Sequence, residues 1–177
     1  MREHQTLLEK LGAEVVRVRR PSDLDQIDGL VIPGGESTAI SKLITNFGML
    51  EPLRNYVAEK PVLGTCAGLI LLSNQVEGRL ADQELIGGLD IVTSRNAYGS
   101  QLDSFEADVN YESASEHVAF IRAPKILDTK GTKVLAKYGQ EVVAVQQGKI
   151  FGACYHPEIT GSTLLHSLFL AEIEKDK

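Results

Sequence analysis

The sequence predicts an α/β domain in which a mostly parallel sheet carries helices on both faces and continues into an antiparallel extension. In the first part of the chain, short apolar runs alternate with helix-period segments, the order that parallel strands joined by crossover helices require. In the second part the apolar runs follow one another with only turn residues between them, the order of hairpins. Length is the third observation: 177 residues, 43% of them hydrophobic, fill one core but not two, and no repeat, low-complexity tract or linker divides them. Residues 1–177 therefore read as a single domain.

Taken in order, helical periodicity covers about residues 2–11 and stops at Gly12, where a left-handed residue ends the helix. Residues 15–19 read as a strand, with Arg17, Arg19 and Arg20 on a solvated edge, and residues 30–32 as the next strand. Helices follow over 38–47 and, after Pro52, over 53–59. Residues 62–64 form a strand that runs into a helix built on Leu69, Ile70, Leu71 and Leu72. Strands are then expected at 89–93, 105–110, 118–121, 133–138, 142–146 and 150–155, before a helix over about 162–174.

Charge and cysteine usage narrow the function classes. A formal net charge of -6 disfavours nucleic acid or an anionic membrane as the main partner. No apolar run approaches transmembrane length and no signal peptide is visible. Cys66 and Cys154 form no disulfide framework, which suits a reducing, cytoplasmic compartment. His4, His117 and His166 show no metal-ligand spacing, so no metal is expected.

The most informative residue is Cys66, flanked by Gly64 and Gly68 between a strand and a helix. A strand that turns sharply into a helix while presenting one side chain needs neighbours with almost no side chain of their own. At the resulting helix N-terminus, free N–H groups and the positive end of the dipole favour a thiolate and can cradle an oxyanion. An isolated cysteine here would read as a small buried hydrophobe. The glycines argue for a nucleophile, and so does the downstream segment His156-Pro157-Glu158. In an extended chain residues 156 and 158 share a face, so the Glu158 carboxylate is expected to hold the His156 imidazole, with Pro157 stiffening the pair. A thiol, an imidazole and a carboxylate form a triad for attack on an acyl carbon. The glycine pair Gly34 and Gly35, after an apolar strand, lets main chain approach a ligand, and N–H groups there can complete an oxyanion hole; the same residues also fit a plain strand-to-helix turn. Arg95 fits either a bidentate carboxylate ligand or a solvated cation.

These motifs together resemble class I (triad) glutamine amidotransferases. Within that group the chain is most similar to the glutaminase subunits of pyridoxal 5'-phosphate synthase. The similarity is carried by Pro33-Gly34-Gly35-Glu36-Ser37-Thr38, by Gly64-Thr65-Cys66-Ala67-Gly68, and by Arg95-Asn96 with Gly99 and Gln101. It continues through Ser104-Phe105-Glu106, Phe120-Ile121-Arg122-Ala123-Pro124 and His156-Pro157-Glu158, in the family's order over nearly the whole chain. The resemblance implies a flavodoxin-like fold and hydrolysis of L-glutamine to glutamate and ammonia by Cys66, His156 and Glu158, without a cofactor. It implies an oxyanion hole at Gly35 and Ala67 and substrate binding by Gly35, Glu36, Ser37, Arg95, Ile121 and Arg122. It also implies a TIM-barrel synthase subunit as partner, in a large hetero-oligomer that receives the ammonia for pyridoxal 5'-phosphate (vitamin B6) synthesis. Glutaminase subunits of this kind are typically silent without the synthase.

Some positions depart from the family pattern. Members open with an apolar strand and a glycine turn ahead of the helix that starts here at Met1-Arg2-Glu3-His4, so the first strand is expected to be missing, through a misassigned start or a truncation. Ser100, Leu164 and the residues around 80–88 also differ and bear on partner docking. Three alternatives stand beside the main reading: a truncated, inactive relative that only binds the synthase, a different triad amidotransferase, and a γ-glutamyl hydrolase.

Overall fold

The computed structural model describes residues 1–95 and 104–177. The chain opens with helix α1 (Arg2–Lys10), which turns His4, Leu7 and Leu8 inward, and a 3-10 turn over Pro21–Gln26 leads into strand β1 (Leu30–Ile32). Helices α2 (Ser37–Asn46) and α3 (Leu50–Glu59) precede strand β2 (Val62–Thr65) and the buried helix α4 (Ala67–Leu72). Strands β3 (Ser73–Glu77), β4 (Leu89–Ser94), β5 (Ser104–Tyr111), β6 (Ser115–Ile121) and β7 (Lys125–Asp128) follow. The chain ends with β8 (Lys133–Tyr138), β9 (Glu141–Gln147), β10 (Ile150–Ala153), α5 (Pro157–Thr160) and α6 (Leu164–Asp176).

Seven strands form the main sheet in the order β1-β2-β10-β9-β8-β5-β6. β1, β2 and β10 are parallel, with Leu63 opposite both Val31 and Phe151. From β10 outward every pairing is antiparallel, which is the expected extension. A second sheet, β3-β4-β7, is mixed.

Packing on β10 shows why helices cover both faces. The Phe151 ring meets Phe169 of α6 edge-on at 6.2 Å, while a β-carbon built on Gly152 would stand 2.5 Å from Leu69 of α4. Successive strand residues point to opposite faces, so α6 and α4 lie on opposite sides of the sheet. Leu63, Leu69, Leu71, Phe151, Tyr155 and Phe169 are nearly inaccessible to solvent and form the centre of the core.

The structure differs from expectation at several elements. Residues 15–19 have no ladder partner and are not a strand. A groove of about 880 Å³, lined by that segment, by β1 and by α6, lies beside the sheet edge, and a strand exists only where its backbone groups find partners. Helix α3 begins at Leu50, not after Pro52, because proline is tolerated in a first turn whose N–H groups have no intrahelical acceptor. β3 and β7 were not expected: β3 follows α4 directly, and β7 is only four residues long. The segment after His156 is not extended. Pro157 is the first residue of α5, and His156 is its N-cap.

Candidate active site

Cys66 sits between β2 and α4 at φ 52 and ψ −106, a conformation that costs a non-glycine residue on the order of 1–3 kcal/mol and persists only where the surroundings impose it. Its N–H donates to the Ala153 carbonyl at 2.9 Å, tying the turn to β10. Both flanking glycines are required by contact. A β-carbon on Gly64 would stand 2.6 Å from the Gly68 carbonyl carbon, and one on Gly68 would stand 2.0 Å from the Ile32 oxygen. The elbow expected from the sequence is thus a three-way approach of β1, β2 and α4.

His156 follows β10 and is held by its N–H, which donates to the Ala119 carbonyl of β6 at 2.7 Å. Its Nδ1 lies 2.7 Å from Oε1 of Glu158, and the two side chains are only 12% and 6% exposed. The expected pairing therefore forms, through helix-cap geometry and not along a strand. Burial pushes the His156 pKa down, but hydrogen bonds to Cys66 and Glu158 and their charges more than offset it and bring it to about 10. Burial likewise pushes the Glu158 carboxyl up, and the hydrogen bond and charge of His156 leave it below the ordinary carboxylate range. Gly34 closes the crease between base and nucleophile: a β-carbon there would lie 2.4 Å from Cε1 of His156 and 3.4 Å from Cβ of Cys66.

The remaining expected residues surround this centre. Gly35 has φ 147, a glycine conformation, and Ala67 opens α4. Glu36 caps α2, accepting the N–H groups of Thr38 at 3.0 Å and Ala39 at 2.8 Å, and its Oε1 meets the Arg95 guanidinium at 3.3 Å. The hydroxyl of Thr38, with those N–H groups and Arg95, holds the Glu36 carboxyl below its usual range despite partial burial. Arg95 is half-buried in this pair with Glu36, a third arrangement beside the two that the sequence left open. The Ser37 side chain is buried and accepts a hydrogen bond from Gln83, which leaves its main chain as the part that can meet a substrate. The Ile121 carbonyl lies 3.8 Å from Sγ of Cys66, and Arg122, at φ 46, is exposed beside it. Asn96, Gly99, Ser100 and Gln101 lie outside the described residues.

Sequence reasoning missed residues behind the triad. His4 and His166 are both buried; Nε2 of His4 lies 3.3 Å from Oε1 of Glu158, and His166 stands behind His4. The sequence signal for His4 is its place on the inward face of α1 with Leu7 and Leu8, which metal-ligand spacing does not reveal. Among the described residues no three His, Cys, Asp or Glu are grouped to hold a metal ion, and no helix is long and apolar enough to cross a membrane.

The SNO glutamine amidotransferase family matches residues 1–175. The chain belongs to this family. Its relatives include the pyridoxal 5'-phosphate synthase subunit PdxT of Corynebacterium diphtheriae, 49% identical over 97% of this chain and 93% of that protein. The subunit of the same name from Carboxydothermus hydrogenoformans is 44% identical over 98% of this chain and 93% of its own length. A crystal structure of a glutamine amidotransferase superposes with a TM-score of 0.91 at 40% identity, covering 98% of this chain and 93% of the other. A Thermotoga maritima glutamine amidotransferase shares the fold at a TM-score of 0.57 and 14% identity, over 97% and 77% of the two chains. The parallel core with its antiparallel extension is the class I glutamine amidotransferase fold.

Proposed function

We propose that this chain hydrolyses L-glutamine to L-glutamate and ammonia through Cys66, His156 and Glu158, and delivers the ammonia to a pyridoxal 5'-phosphate synthase subunit. One observation carries the reading: a cysteine forced to φ 52 on a strand-helix turn shares a crease with an imidazole whose far nitrogen is 2.7 Å from a buried carboxylate. Sγ of Cys66 attacks the side-chain amide carbon, forming a carbon–sulfur bond and a tetrahedral oxyanion. Main-chain N–H groups of Gly35 and Ala67 stabilise that oxyanion. His156, held protonated up to about 10, gives its proton to the amide nitrogen as the carbon–nitrogen bond breaks and ammonia leaves. Water then attacks the thioester, returns a proton to His156 and releases glutamate with the sulfur restored. Glu158 keeps the imidazole in one tautomer throughout.

Glutamine binds against the turn at Gly35, Glu36 and Ser37, with Arg95, held by Glu36, and the Ile121 and Arg122 main chain completing the pocket. The half-reaction uses no cofactor. The partner is a TIM-barrel synthase in a large hetero-oligomer, in the cytoplasm; the support is the set of PdxT relatives, which span nearly the whole chain. The finer fold reading is the flavodoxin-like form of this fold, supported by the parallel order β1-β2-β10 with helices on both faces.

Covalent capture tests the nucleophile. A γ-electrophilic glutamine analogue should add one equivalent of mass at Cys66 in the presence of the synthase, and glutamine should protect. No labelling, or labelling at Cys154 instead, would reject the assignment. A chain that labels but does not bind the synthase would instead be another triad amidotransferase or a γ-glutamyl hydrolase.

A further inference from the structure

Behind the triad lies a second pair of buried imidazoles that the reaction just described does not use. Nδ1 of His4, on α1, is 2.9 Å from Nε2 of His166, on α6, and Nε2 of His4 lies 3.3 Å from Oε1 of Glu158 and 3.2 Å from the Thr65 hydroxyl. His4 is 4% exposed and His166 is inaccessible. Oε1 of Glu158 thus has Nδ1 of His156 at 2.7 Å and Nε2 of His4 at 3.3 Å, while its Oε2 has no hydrogen-bond partner among the described residues.

The tautomers follow from counting donors. If His4 carried its proton on Nδ1, His166 would have to accept at Nε2 and carry its own proton on Nδ1, which has no partner among the described residues; the His4 lone pair would then face the carboxylate. The reverse assignment leaves only a lone pair orphaned at Nδ1 of His166, the cheaper loss. His166 therefore donates from Nε2 to Nδ1 of His4, and His4 presents its Nε2–H to the Thr65 hydroxyl at 3.2 Å, with Oε1 of Glu158 3.3 Å from the same nitrogen. The N–H end of His4 thus lies against the carboxylate that orients the base, steadied by the Thr65 hydroxyl. Burial pushes both histidines below the ordinary range, His166 to about 4, in keeping with neutral rings.

We propose that His4, locked by His166, is a positioning residue of the triad, fixing the Glu158 carboxylate so that its hydrogen bond aims the His156 imidazole at the reacting atoms. The inference rests on the Cys66-His156-Glu158 reading above. A buried carboxylate oxygen with the polar edges of two imidazoles against it, at 2.7 and 3.3 Å, has less room to swing about its side chain than one with a single neighbour. The role belongs to N–H direction and not to bulk, so the amide isosteres separate it from packing. His4→Gln would place an amide nitrogen near the position of Nε2, whereas the shorter amide of His4→Asn does not reach Glu158 and would address the His166 side.

The test is steady-state glutaminase activity on L-glutamine, with the synthase subunit present, for the wild type, Cys66→Ala, His4→Gln, His4→Asn and His166→Leu. Expected are kcat within about threefold of wild type for His4→Gln and about tenfold or more below it for His4→Asn, with KM little changed in both. His166→Leu, which removes the donor to His4 without touching Glu158, should lower kcat in the same direction. Equal kcat for His4→Gln and His4→Asn overturns the proposal, and if neither folds, an unchanged kcat in folded His166→Leu overturns it. A wild type no more active than Cys66→Ala would instead reject the triad itself, an outcome distinct from either.

Discussion

A β-carbon on Gly34 would lie 2.4 Å from Cε1 of His156, well inside contact distance, so the turn after β1 and the imidazole are shaped to each other. Gly34→Ala must turn the ring away from Cys66, and misplacement by about 1 Å costs on the order of 100-fold in rate. We expect kcat to fall by about that factor while thermal unfolding changes little, as checked by glutamate release and calorimetry on the same preparation. Undiminished kcat would mean that the crease is not the reacting geometry.

Gly68 is constrained by backbone and not by a movable side chain: its β-carbon would stand 2.0 Å from the Ile32 carbonyl oxygen. Gly68→Ala must separate α4 from β1, and overpacking of this kind destabilises by about 1–3 kcal/mol or more. Urea unfolding should show the midpoint falling although Gly68 has no positive φ to strain. An unchanged midpoint would contradict the close approach.

Replacing Glu158 by glutamine removes the negative acceptor at 2.7 Å from Nδ1 of His156 and offers an amide that can favour the wrong tautomer. The expected loss in kcat is at least about 100-fold, toward the roughly 10⁴-fold of comparable triads, with KM nearly unchanged. A loss expressed mainly in KM would instead place Glu158 in substrate binding.

The His156 imidazole has its pKa raised from the ordinary 6.5 to about 10. Because the folded value is the higher one, the stabilising contribution is complete below 6.5 and is lost as pH rises through about 10. Histidine NMR titration should find this midpoint in the wild type and a much lower one in Cys66→Ala, where burial still acts but the sulfur partner is gone. Identical midpoints would show that the two side chains do not interact.

His166 has the opposite sign. Its folded pKa is depressed to about 4, so the unfolded chain binds the extra proton first. Stability associated with the neutral ring is present above 6.5 and is lost as pH falls toward about 4, amounting to about 3 kcal/mol at the acid end. Denaturation midpoints measured between pH 7.5 and pH 4 should fall less steeply in His166→Gln than in the wild type. Parallel curves would contradict a neutral buried ring.

Much of this site was legible because its chemistry is local in sequence. Gly64, Cys66 and Gly68 lie within one strand-helix turn, and His156 and Glu158 within one helix cap, so their spacing marks them as the candidate triad and its flanks. His4 and His166 were not legible as a pair, since 162 positions separate them and only the packing of α1 against the site side of α6 joins them. Residues 15–19 have strand-like alternation but no ladder, because pairing depends on what lies beside a segment and not on its own pattern. The short strand β7 was missed for the converse reason: Lys125–Asp128 has little periodicity and forms only because β4 provides an edge.

Glutamate release from L-glutamine, measured with and without the pyridoxal 5'-phosphate synthase subunit and with Cys66→Ala as control, tests the central claim most directly. The account predicts release that requires the synthase and disappears in Cys66→Ala. Release that persists in Cys66→Ala, or none from the wild type in a verified complex with the synthase, would contradict it.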